Sequence, residues 1–543
     1  NDADLNALVD QVRGLEGIES IAVCLLFSFL NPKHEQQVAR ALRAAFPDIL
    51  VSVSSDVQPE FREYERFSTT AINAFLQPEV SRYMDKLSGA IKEVLPNAKL
   101  GIFQSSGGLM SICKAEEFPV RTALSGPAAG AVGAAAAGKL SGVENIVTLD
   151  MGGTSTDVCL IRNGKTEIAN MRDIAGFRIR LPMVDIHTVG AGGGSIAHVG
   201  TDGLMKVGPQ SAGAVPGPAC YNKGGELPTV SDANVVLGRL PAALASGLTL
   251  DTKKAHTAIA RIAAPLGLSV TQTALGIVGI VTSNMTRAIR AVSTEKGHDP
   301  RNFTLMPFGG AGGLHATDVA RALGILQVII PNAPGILCAN GLIEADLQEN
   351  FVATCRAQLG DDLGNVKAAL AALSTQVDSW IADETDGAST VQKIASVDMR
   401  YVGQNYELPV LISASADAPE LPTTDALKES FFDTHLRSYG YADRDAPVEV
   451  MNVRLKAVSP LSQASGRPNS PQGVAEPETL QNVWFTADAP LPTPVYNRTT
   501  LPAGTSFAGP AIITQFDATT VVPPDATLHV DDALNLLLEL HDV

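Results

Sequence analysis

The sequence predicts an α/β protein whose C-terminal part is richer in β-strands. Three apolar segments of strand length run into glycine clusters, and helical patterns are interleaved with them, as is typical of α/β folds. Of the 543 residues, 45% are hydrophobic and 18% are charged, so the chain has enough apolar material for several large cores. After about Asp346, short alternating segments typical of strands become more frequent.

The predicted elements follow one another along the chain as strands and helices of ordinary length. The predicted strands are Ile21–Leu30, Leu100–Gln104, 146–150, 158–162, Val397–Arg400, Tyr406–Ile412 and Val448–Ala457. The predicted helices are Lys33–Phe46, Phe67–Leu76, Glu79–Val94, Gly126–Leu140, Thr317–Leu323 and Ala368–Ala382, and a helical pattern also extends from Ala255 to Lys296.

Composition excludes several classes of function. The formal net charge of −17 leaves no basic surplus for nonspecific binding to nucleic acid. No uninterrupted run of 18 apolar residues appears, so no membrane span is expected. The six cysteines are scattered without metal-ligand spacing, which favours reduced thiols in a cytoplasmic protein.

The most informative segment is Asp150–Asp157, which follows the apolar run 145–149. Glycines at 152 and 153 let backbone N–H groups approach an anion, and the hydroxyls of Thr154, Ser155 and Thr156 add donors. Carboxylates would repel a phosphate unless a divalent cation lies between them. We therefore interpret the segment as a Mg-nucleotide phosphate loop with Asp150 and Asp157 as catalytic and metal-binding residues; an ordinary Gly-Gly hairpin is the alternative.

Two further glycine clusters follow strand-like segments. The first comprises Gly309, Gly310, Ala311, Gly312 and Gly313; it precedes a helix and is predicted to hold adenosine or a phosphate at the helix N-terminus. The second lies within Val189–Ser195. Neither has the Gly-Lys-Ser/Thr of a P-loop or the spacing of a dinucleotide fingerprint.

Three polar side chains could supply a general base or a second metal site. Asp185 and His187 would share one face of a strand, and His315 could join them. The alternative is that these histidines are hydrogen-bonded structural residues. The mixed charge run from Arg62 to Arg66 is either a solvated helix start or a contact with another domain or subunit.

Taken in order, these motifs make the chain similar to the hydantoinase/5-oxoprolinase proteins, in particular the hydantoinase A subunit type. The matching segments are Pro59–Arg66, Leu124–Gly130, Asp150–Asp157, Asp185–Gly190, Pro216–Tyr221, Thr229–Asn234, Gly309–His315, Arg400–Gln404 and Gly509–Ile513. The resemblance implies an ATP-binding fold of the sugar-kinase/Hsp70/actin type. It also implies ATP with Mg²⁺ or Mn²⁺ as cofactors, and a hydantoinase B-type partner subunit.

The activity implied by this resemblance is ATP-dependent hydrolysis of a cyclic amide such as a hydantoin, an oxoproline or a lactam, with the amide oxygen phosphorylated before the ring opens. The alternatives are a subunit of an ATP-dependent ketone carboxylase, acting on substrates of the acetone or acetophenone type, and a nucleotide-binding regulatory subunit without chemistry of its own.

The resemblance also suggests a domain division. Residues 1–97 are expected to be the remainder of a first α/β lobe, since family members usually open with an earlier acidic glycine loop that this chain lacks. Residues 98–345 would form the nucleotide-binding domain, residues 346–463 an α+β domain, and residues 464–543 a small β-rich module after a Ser/Pro/Gly linker at Ala464–Gln472.

Overall fold

The computed structural model describes residues 2–244, 247–360, 363–385, 391–461 and 469–541. They fall into two compact units, each made of segments that are distant in sequence. The first unit comprises Asn1–Ser125, Ile168–Met183 and Ala345–Ser462, and the second comprises Gly126–Glu167, Val184–Glu344 and Gln463–Val543. The predicted segments 1–97 and 346–463 thus contribute to the same unit, and residues 464–468 of the predicted linker lie outside the described residues.

The first unit is built on a six-stranded sheet. In spatial order its strands are Leu408–Ser415, Gln392–Tyr401, Val448–Ser459, Leu347–Gln358, Leu109–Ser111 and Gly101–Phe103. The pairs are antiparallel except that Leu347–Gln358 runs parallel to Leu109–Ser111. The helices Gly364–Glu384 and Thr424–Tyr439 supply apolar side chains, among them Val377 and Phe431, to the core of this sheet.

The N-terminal part of the first unit contains a parallel pair of strands, Ser20–Val23 and Leu50–Val53. Its helices are Asp2–Arg13, Lys33–Ala45, Ser54–Val57, Glu63–Val94 and Ile112–Glu117, and its short strands include Arg172–Ile174 and Phe177–Ile179. Val23, Ala39, Leu42, Val51 and Val53 form the buried core between the strand pair and the helix Lys33–Ala45.

Two sequence predictions in this region were wrong in detail. The predicted strand Ile21–Leu30 ends at Val23, because side chains rather than a neighbouring strand bind the backbone of Leu25. The Glu35 carboxylate accepts from its N–H, and the Arg66 guanidinium donates to its carbonyl. The two helices predicted on either side of Pro78 are a single helix, Glu63–Val94, with Pro78 inside it.

The second unit is built on a nine-stranded sheet. Eight strands follow in the order Ile186–Val189, Thr156–Arg162, Ile146–Met151, Thr304–Phe308, Gln327–Ile330, Leu536–Leu540, Ala526–Val530 and Ser506–Ala508, and Lys165–Thr166 pairs with Thr156–Arg162. The three central strands from 146 to 330 are parallel. The C-terminal segment, predicted as a small separate module, therefore contributes three strands to this sheet.

Helices cover both faces of this sheet. Ser125–Leu140 packs through Ala134 against Ile146, Met306 and Phe308 on one face. On the other face, Val147, Leu149 and Leu305 lie in the main core. The helices that supply the rest of that core are Val230–Val236, Thr252–Leu266, Val270–Val292 and Gly309–Leu323.

The remaining elements of the second unit are a hairpin, a second sheet and a short helix. The hairpin pairs Ser195–Val199 with Met205–Ser211. The four-stranded sheet contains Thr479–Val483, Leu491–Asn497, Ala511–Thr514 and Thr519–Val522, and the short helix is Leu337–Ile343. The alternation of strands and covering helices confirms the predicted α/β class.

No single helix among the described residues is long and apolar enough to span a membrane. Two consecutive helices, Thr252–Leu266 and Val270–Lys296, would meet the requirement only if taken together across a bend of 92°.

Candidate nucleotide site

Asp150 and Asp157 lie directly opposite each other on adjacent antiparallel strands. Residues in register on two such strands point to the same face of the sheet, so the two carboxylates share one face. Between them, residues 152–155 form the turn, in which the N–H of Gly152 donates to the carbonyl of Ser155 at 3.1 Å. Gly153 and Thr154 are exposed at its tip. The predicted loop is therefore a hairpin that presents backbone and hydroxyl donors beside two carboxylates.

The Asp150 carboxyl group is partly buried, and its electrostatics are unusual. Its pKa is raised from 3.8 to about 6: burial is the largest cause, a hydrogen bond from Cys338 opposes the rise, and the nearby Asp157 carboxylate adds to it. The Cys338 Sγ lies 3.5 Å from Asp150 Oδ2. A cation placed between Asp150 and Asp157 would stabilise the ionised form of both carboxylates, because it offsets their desolvation and their mutual repulsion.

The glycine cluster within Val189–Ser195 packs directly on this hairpin. The N–H of Gly193 donates to the carbonyl of Gly152 at 3.0 Å, and that of Gly194 donates to the carbonyl of Gly153 at 2.6 Å. A Cβ atom on Gly192 would lie 2.6 Å from the backbone nitrogen of Thr154. The Thr156 hydroxyl donates to the carbonyl of Ala191. Sequence analysis found this cluster but gave it no role, because only the fold shows that it packs against the hairpin at residues 152–155.

The glycine cluster Gly309–Gly313 begins a helix instead of forming a turn. The helix Gly309–Leu323 starts immediately after the strand Thr304–Phe308, which runs parallel to Ile146–Met151 and pairs Phe308 with Asp150. Gly309 has a φ of +74°, and a Cβ atom there would lie 2.6 Å from Asp150 Oδ1. The N-terminus of this helix, with its free N–H groups and positive dipole end, therefore lies next to the Asp150 carboxylate.

Within that cluster, the individual residues have different surroundings. Gly310 is exposed and Ala311 is half-buried, so both are accessible at the start of the helix. Gly312 and Gly313 are buried: Cβ atoms there would lie 3.3 Å from the carbonyl of Leu149 and 2.7 Å from that of Thr519, respectively. These two glycines permit close packing of the helix on the sheet, so the structure corrects the expectation that all of them contact a ligand.

The expected cluster of Asp185, His187 and His315 is not assembled. His187 is paired in register with Val158, whereas the next residue, Thr188, donates a hydrogen bond to Asp157. Because side chains alternate along a strand, His187 points to the opposite face from the Asp150–Asp157 pair. Asp185 precedes this strand rather than sharing it, and it forms an ion pair with Lys296.

His315 is fully buried in the helix Gly309–Leu323. Its Nε2 lies 3.2 Å from Asn234 Nδ2, and burial lowers its pKa to about 4, so the ring is neutral at physiological pH. Over the part of the chain that the structure describes, no three His, Cys, Asp or Glu side chains come close enough to hold a metal ion. A second metal site made of these residues is therefore not supported.

The residues at the hairpin fit a magnesium-nucleotide complex. Mg²⁺ is usually held by one or two carboxylates together with phosphate oxygens and water rather than by a cage of protein ligands. Asp150 and Asp157 supply two hard oxygen donors on one face, and the glycine contacts leave bare backbone around them. This donor set is suited to a cation that the nucleotide phosphates help to coordinate.

Comparison with known proteins identifies the family of this chain. A model of the hydantoinase/oxoprolinase family matches residues 66–351, and the model of its N-terminal region matches residues 1–46. The chain is 36% identical to the caprolactamase subunit alpha of Pseudomonas jessenii over 98% of this chain and 77% of that protein.

Two solved structures cover nearly the whole chain. The crystal structure of the ATP-dependent caprolactamase from Pseudomonas jessenii has a TM-score of 0.88 and 35% identity, covering 99% of this chain and 79% of that one. A nucleotide-free acetone carboxylase structure has a TM-score of 0.78 and 26% identity, covering 100% of this chain and 79% of that one. The chain belongs to the hydantoinase/oxoprolinase family.

Proposed function

We propose that this chain is the ATP-using subunit of a cyclic amide hydrolase. The observation that carries the proposal is the pair of carboxylates, Asp150 and Asp157, set on one face of a glycine hairpin beside the start of a helix. The ATP-dependent caprolactamase, similar along nearly this whole chain, supports a lactam as the substrate class. Hydantoins and oxoprolines share the same ring amide.

In this proposal the parts of the site have separate roles. Asp150 and Asp157 hold Mg²⁺ or its water ligands, and residues 152–156 donate hydrogen bonds to phosphate oxygens. The first turn of the helix at Gly309–Ala311 approaches the nucleotide with free N–H groups. This division of roles is that of a sugar-kinase/Hsp70/actin type of ATP-binding fold, which we propose for the second unit.

ATP would supply a phosphoryl group for the amide oxygen, which weakens the resonance that makes a lactam unreactive. Water then attacks the activated carbon, the ring C–N bond breaks, and phosphate leaves. His187 is exposed on the opposite face from the carboxylates, so a role as general base would require a substrate on that face. We propose that a hydantoinase B-type partner subunit completes the hydrolysis in the cytoplasm.

A ketone carboxylase subunit is the second candidate. It is supported by the likeness to acetone carboxylase, which also covers the whole chain, although at 26% identity. The nucleotide site would serve both reactions, because phosphorylation of an enolate oxygen requires the same phosphate loop. The two functions differ in the substrate that stimulates ATP hydrolysis.

The test is a substrate panel with the co-expressed partner subunit. Caprolactam, 5-oxoproline, hydantoin and acetone with bicarbonate are each incubated with Mg-ATP, while phosphate release and organic products are measured. We expect amide-dependent phosphate release and a ring-opened product, both lost in Asp150→Ala. Carboxylated product from acetone, without ring opening of any amide, would contradict the hydrolase proposal and favour the carboxylase.

The same panel tests the need for a partner. We expect the chain alone to open little or no ring. Complete hydrolysis by the isolated chain at the rate of the complex would contradict the two-subunit proposal.

A further inference from the structure

Three polar side chains lie in one row across three adjacent strands of the second unit. Asp150 is in register with Asp157 on the next strand, and Asp157 is in register with Thr188 on the strand beyond it, Ile186–Val189. Residues in register on antiparallel strands share a face, so the Thr188 hydroxyl lies on the side of the sheet where the two carboxylates lie. The carboxylates have a role in the proposed function, whereas Thr188 has none so far.

The Thr188 hydroxyl donates a hydrogen bond to Asp157 Oδ1. Thr188 is exposed and Asp157 is half-buried, so this hydrogen bond lies at the accessible edge of the site and not in the core. A donor on one oxygen restricts the rotation of the carboxyl group and thereby fixes where the other oxygen points. Carboxylates that bind metal ions are commonly held in this way by a neighbouring donor.

Asp150 has a donor of its own. The Cys338 thiol lies 3.5 Å from Asp150 Oδ2. A thiol is a weaker donor than a hydroxyl group, so the stronger of these two orienting hydrogen bonds is the one from Thr188 to Asp157. Thr188 is therefore the side chain whose loss should disturb the carboxylate pair most.

The segment that follows Thr188 contacts the hairpin between the two carboxylates. The N–H groups of Gly193 and Gly194 donate to two carbonyls of the hairpin turn at residues 152–155. One strand and its continuation thus bind both the Asp157 side chain and the backbone of the turn. This arrangement fixes the carboxylate relative to the donors that would surround a phosphate.

We propose that Thr188 is a positioning residue that orients Asp157 for the divalent cation of the nucleotide complex. The inference rests on the proposed function, because it concerns the metal-binding carboxylates of the same site. Mg²⁺ requires near-ideal octahedral geometry and takes few protein ligands, so the orientation of each carboxylate has a large effect on its affinity. A purely structural hydrogen bond between strands, in contrast, would stabilise the sheet and leave cation binding unchanged.

The experiment measures Mn²⁺ binding by the full chain with a non-hydrolysable ATP analogue, and free Mn²⁺ is followed by electron paramagnetic resonance. Mn²⁺ accepts the same oxygen ligands as Mg²⁺, and its signal does not depend on turnover. In Thr188→Val, which has a similar shape but no hydroxyl, we expect the dissociation constant for Mn²⁺ to rise about 10- to 100-fold. In Thr188→Ser, which keeps the hydroxyl, the constant should remain near the wild-type value.

Thr257→Val is the matched control. Thr257 is an exposed threonine of the same unit, and its hydroxyl donates within its own helix to the carbonyl of Lys253 at 2.9 Å. This variant should bind Mn²⁺ as the wild type does. Thermal unfolding of each variant checks that the second unit remains folded.

Asp157→Asn separates this inference from the proposed function. If it abolishes Mn²⁺ binding while Thr188→Val leaves binding unchanged, positioning by Thr188 is overturned and the metal site stands. The same conclusion follows if Thr188→Ser binds Mn²⁺ as weakly as Thr188→Val. If Asp157→Asn binds Mn²⁺ as the wild type does, or if the wild type binds none, the metal-binding role of Asp157 in the proposed function is overturned, and the inference with it.

Discussion

Replacing Asp150 by asparagine should make the protein more stable while it removes nucleotide-dependent activity. The wild-type carboxyl has its pKa raised from 3.8 to about 6 by burial and by Asp157. At about 1.4 kcal/mol for each pH unit, ionising this group costs the folded state about 3 kcal/mol at most, and less to the extent that water reaches it. Asparagine has a similar shape and carries no charge, so it avoids this cost.

The sign of the effect follows from proton binding. Because the folded pKa is the higher one, the folded state binds more protons than the unfolded state between pH 3.8 and about 6. The contribution of this carboxyl group to the free energy of unfolding is therefore fully present below pH 3.8, falls as pH rises, and is lost above about pH 6. The difference between Asp150→Asn and wild type should be near zero at pH 4 and reach about 1–3 kcal/mol at pH 7.5.

The assay is urea denaturation across this pH range, followed by fluorescence and repeated with and without Mg-ATP. The ligand should stabilise the wild type and leave the variant unchanged, because binding to the folded state is what raises stability. Glu144→Gln, at an exposed acidic residue of the second unit, is the control. A stability difference that does not change with pH, or a variant still stabilised by Mg-ATP, would refute the reasoning.

Three other predictions concern different parts of the molecule. Gly192→Ala should reduce amide-stimulated ATP hydrolysis at least about tenfold, because its Cβ would lie 2.6 Å from the Thr154 nitrogen. Gly279→Ala, which has no atom within 4 Å of the new Cβ, should keep full activity in the same assay. Glu60→Gln should destabilise the first unit by about 1.5–3 kcal/mol in denaturation experiments, since Arg180 and Arg454 lose their shared carboxylate while Arg454 keeps its pair with Asp398. Burial alone would raise the pKa of Glu60, but Arg454 and Arg180 outweigh it and hold the pKa below its usual value of 4.5. The contribution of Glu60 to the stability of the folded state should therefore be present above pH 4.5 and lost in more acidic solution. An unchanged acid-unfolding midpoint in the variant would contradict this. Gly309→Ala should weaken Mg-ATP binding measured by calorimetry, because residue 309 has a left-handed backbone conformation and its new Cβ would lie 2.6 Å from Asp150 Oδ1. Unaltered affinity would show that this contact does not matter.

The sequence predicted the hairpin of the site well, because its signal is local. An apolar strand, two glycines and a second strand specify a tight antiparallel pair, and the register then places Asp150 opposite Asp157. The mixed charge run at residues 62–66 shows the opposite case. Arg66 is completely buried: it lies 3.6 Å from Glu63 and also donates to the carbonyls of Leu25 and Glu60, contacts that no local charge pattern predicts.

The predictions that failed depended on packing between distant segments. Gly309–Gly313 has poor helix propensity, so a turn was expected, yet these residues form the first turns of a helix. The reason is close contact: Gly313 lies against Thr519 and Thr520, more than 200 residues away in the chain. The proposed gathering of His187 and His315 failed for the same reason, since strand alternation and helix burial decide where each ring points.

The close approach of Gly309 to Asp150 places the helix Gly309–Leu323 between the candidate site and the C-terminal part of the second unit. Its first residue meets the carboxylate through bare backbone, and near its last turn the Arg321 guanidinium binds Asp525, in the turn before the strand Ala526–Val530. No flexible side chain at the first residue can absorb a displacement at the carboxylate. The helix therefore spans about 20 Å, at 1.5 Å of rise per residue, between the Asp150 carboxylate at its first residue and the Asp525 carboxylate near its last turn.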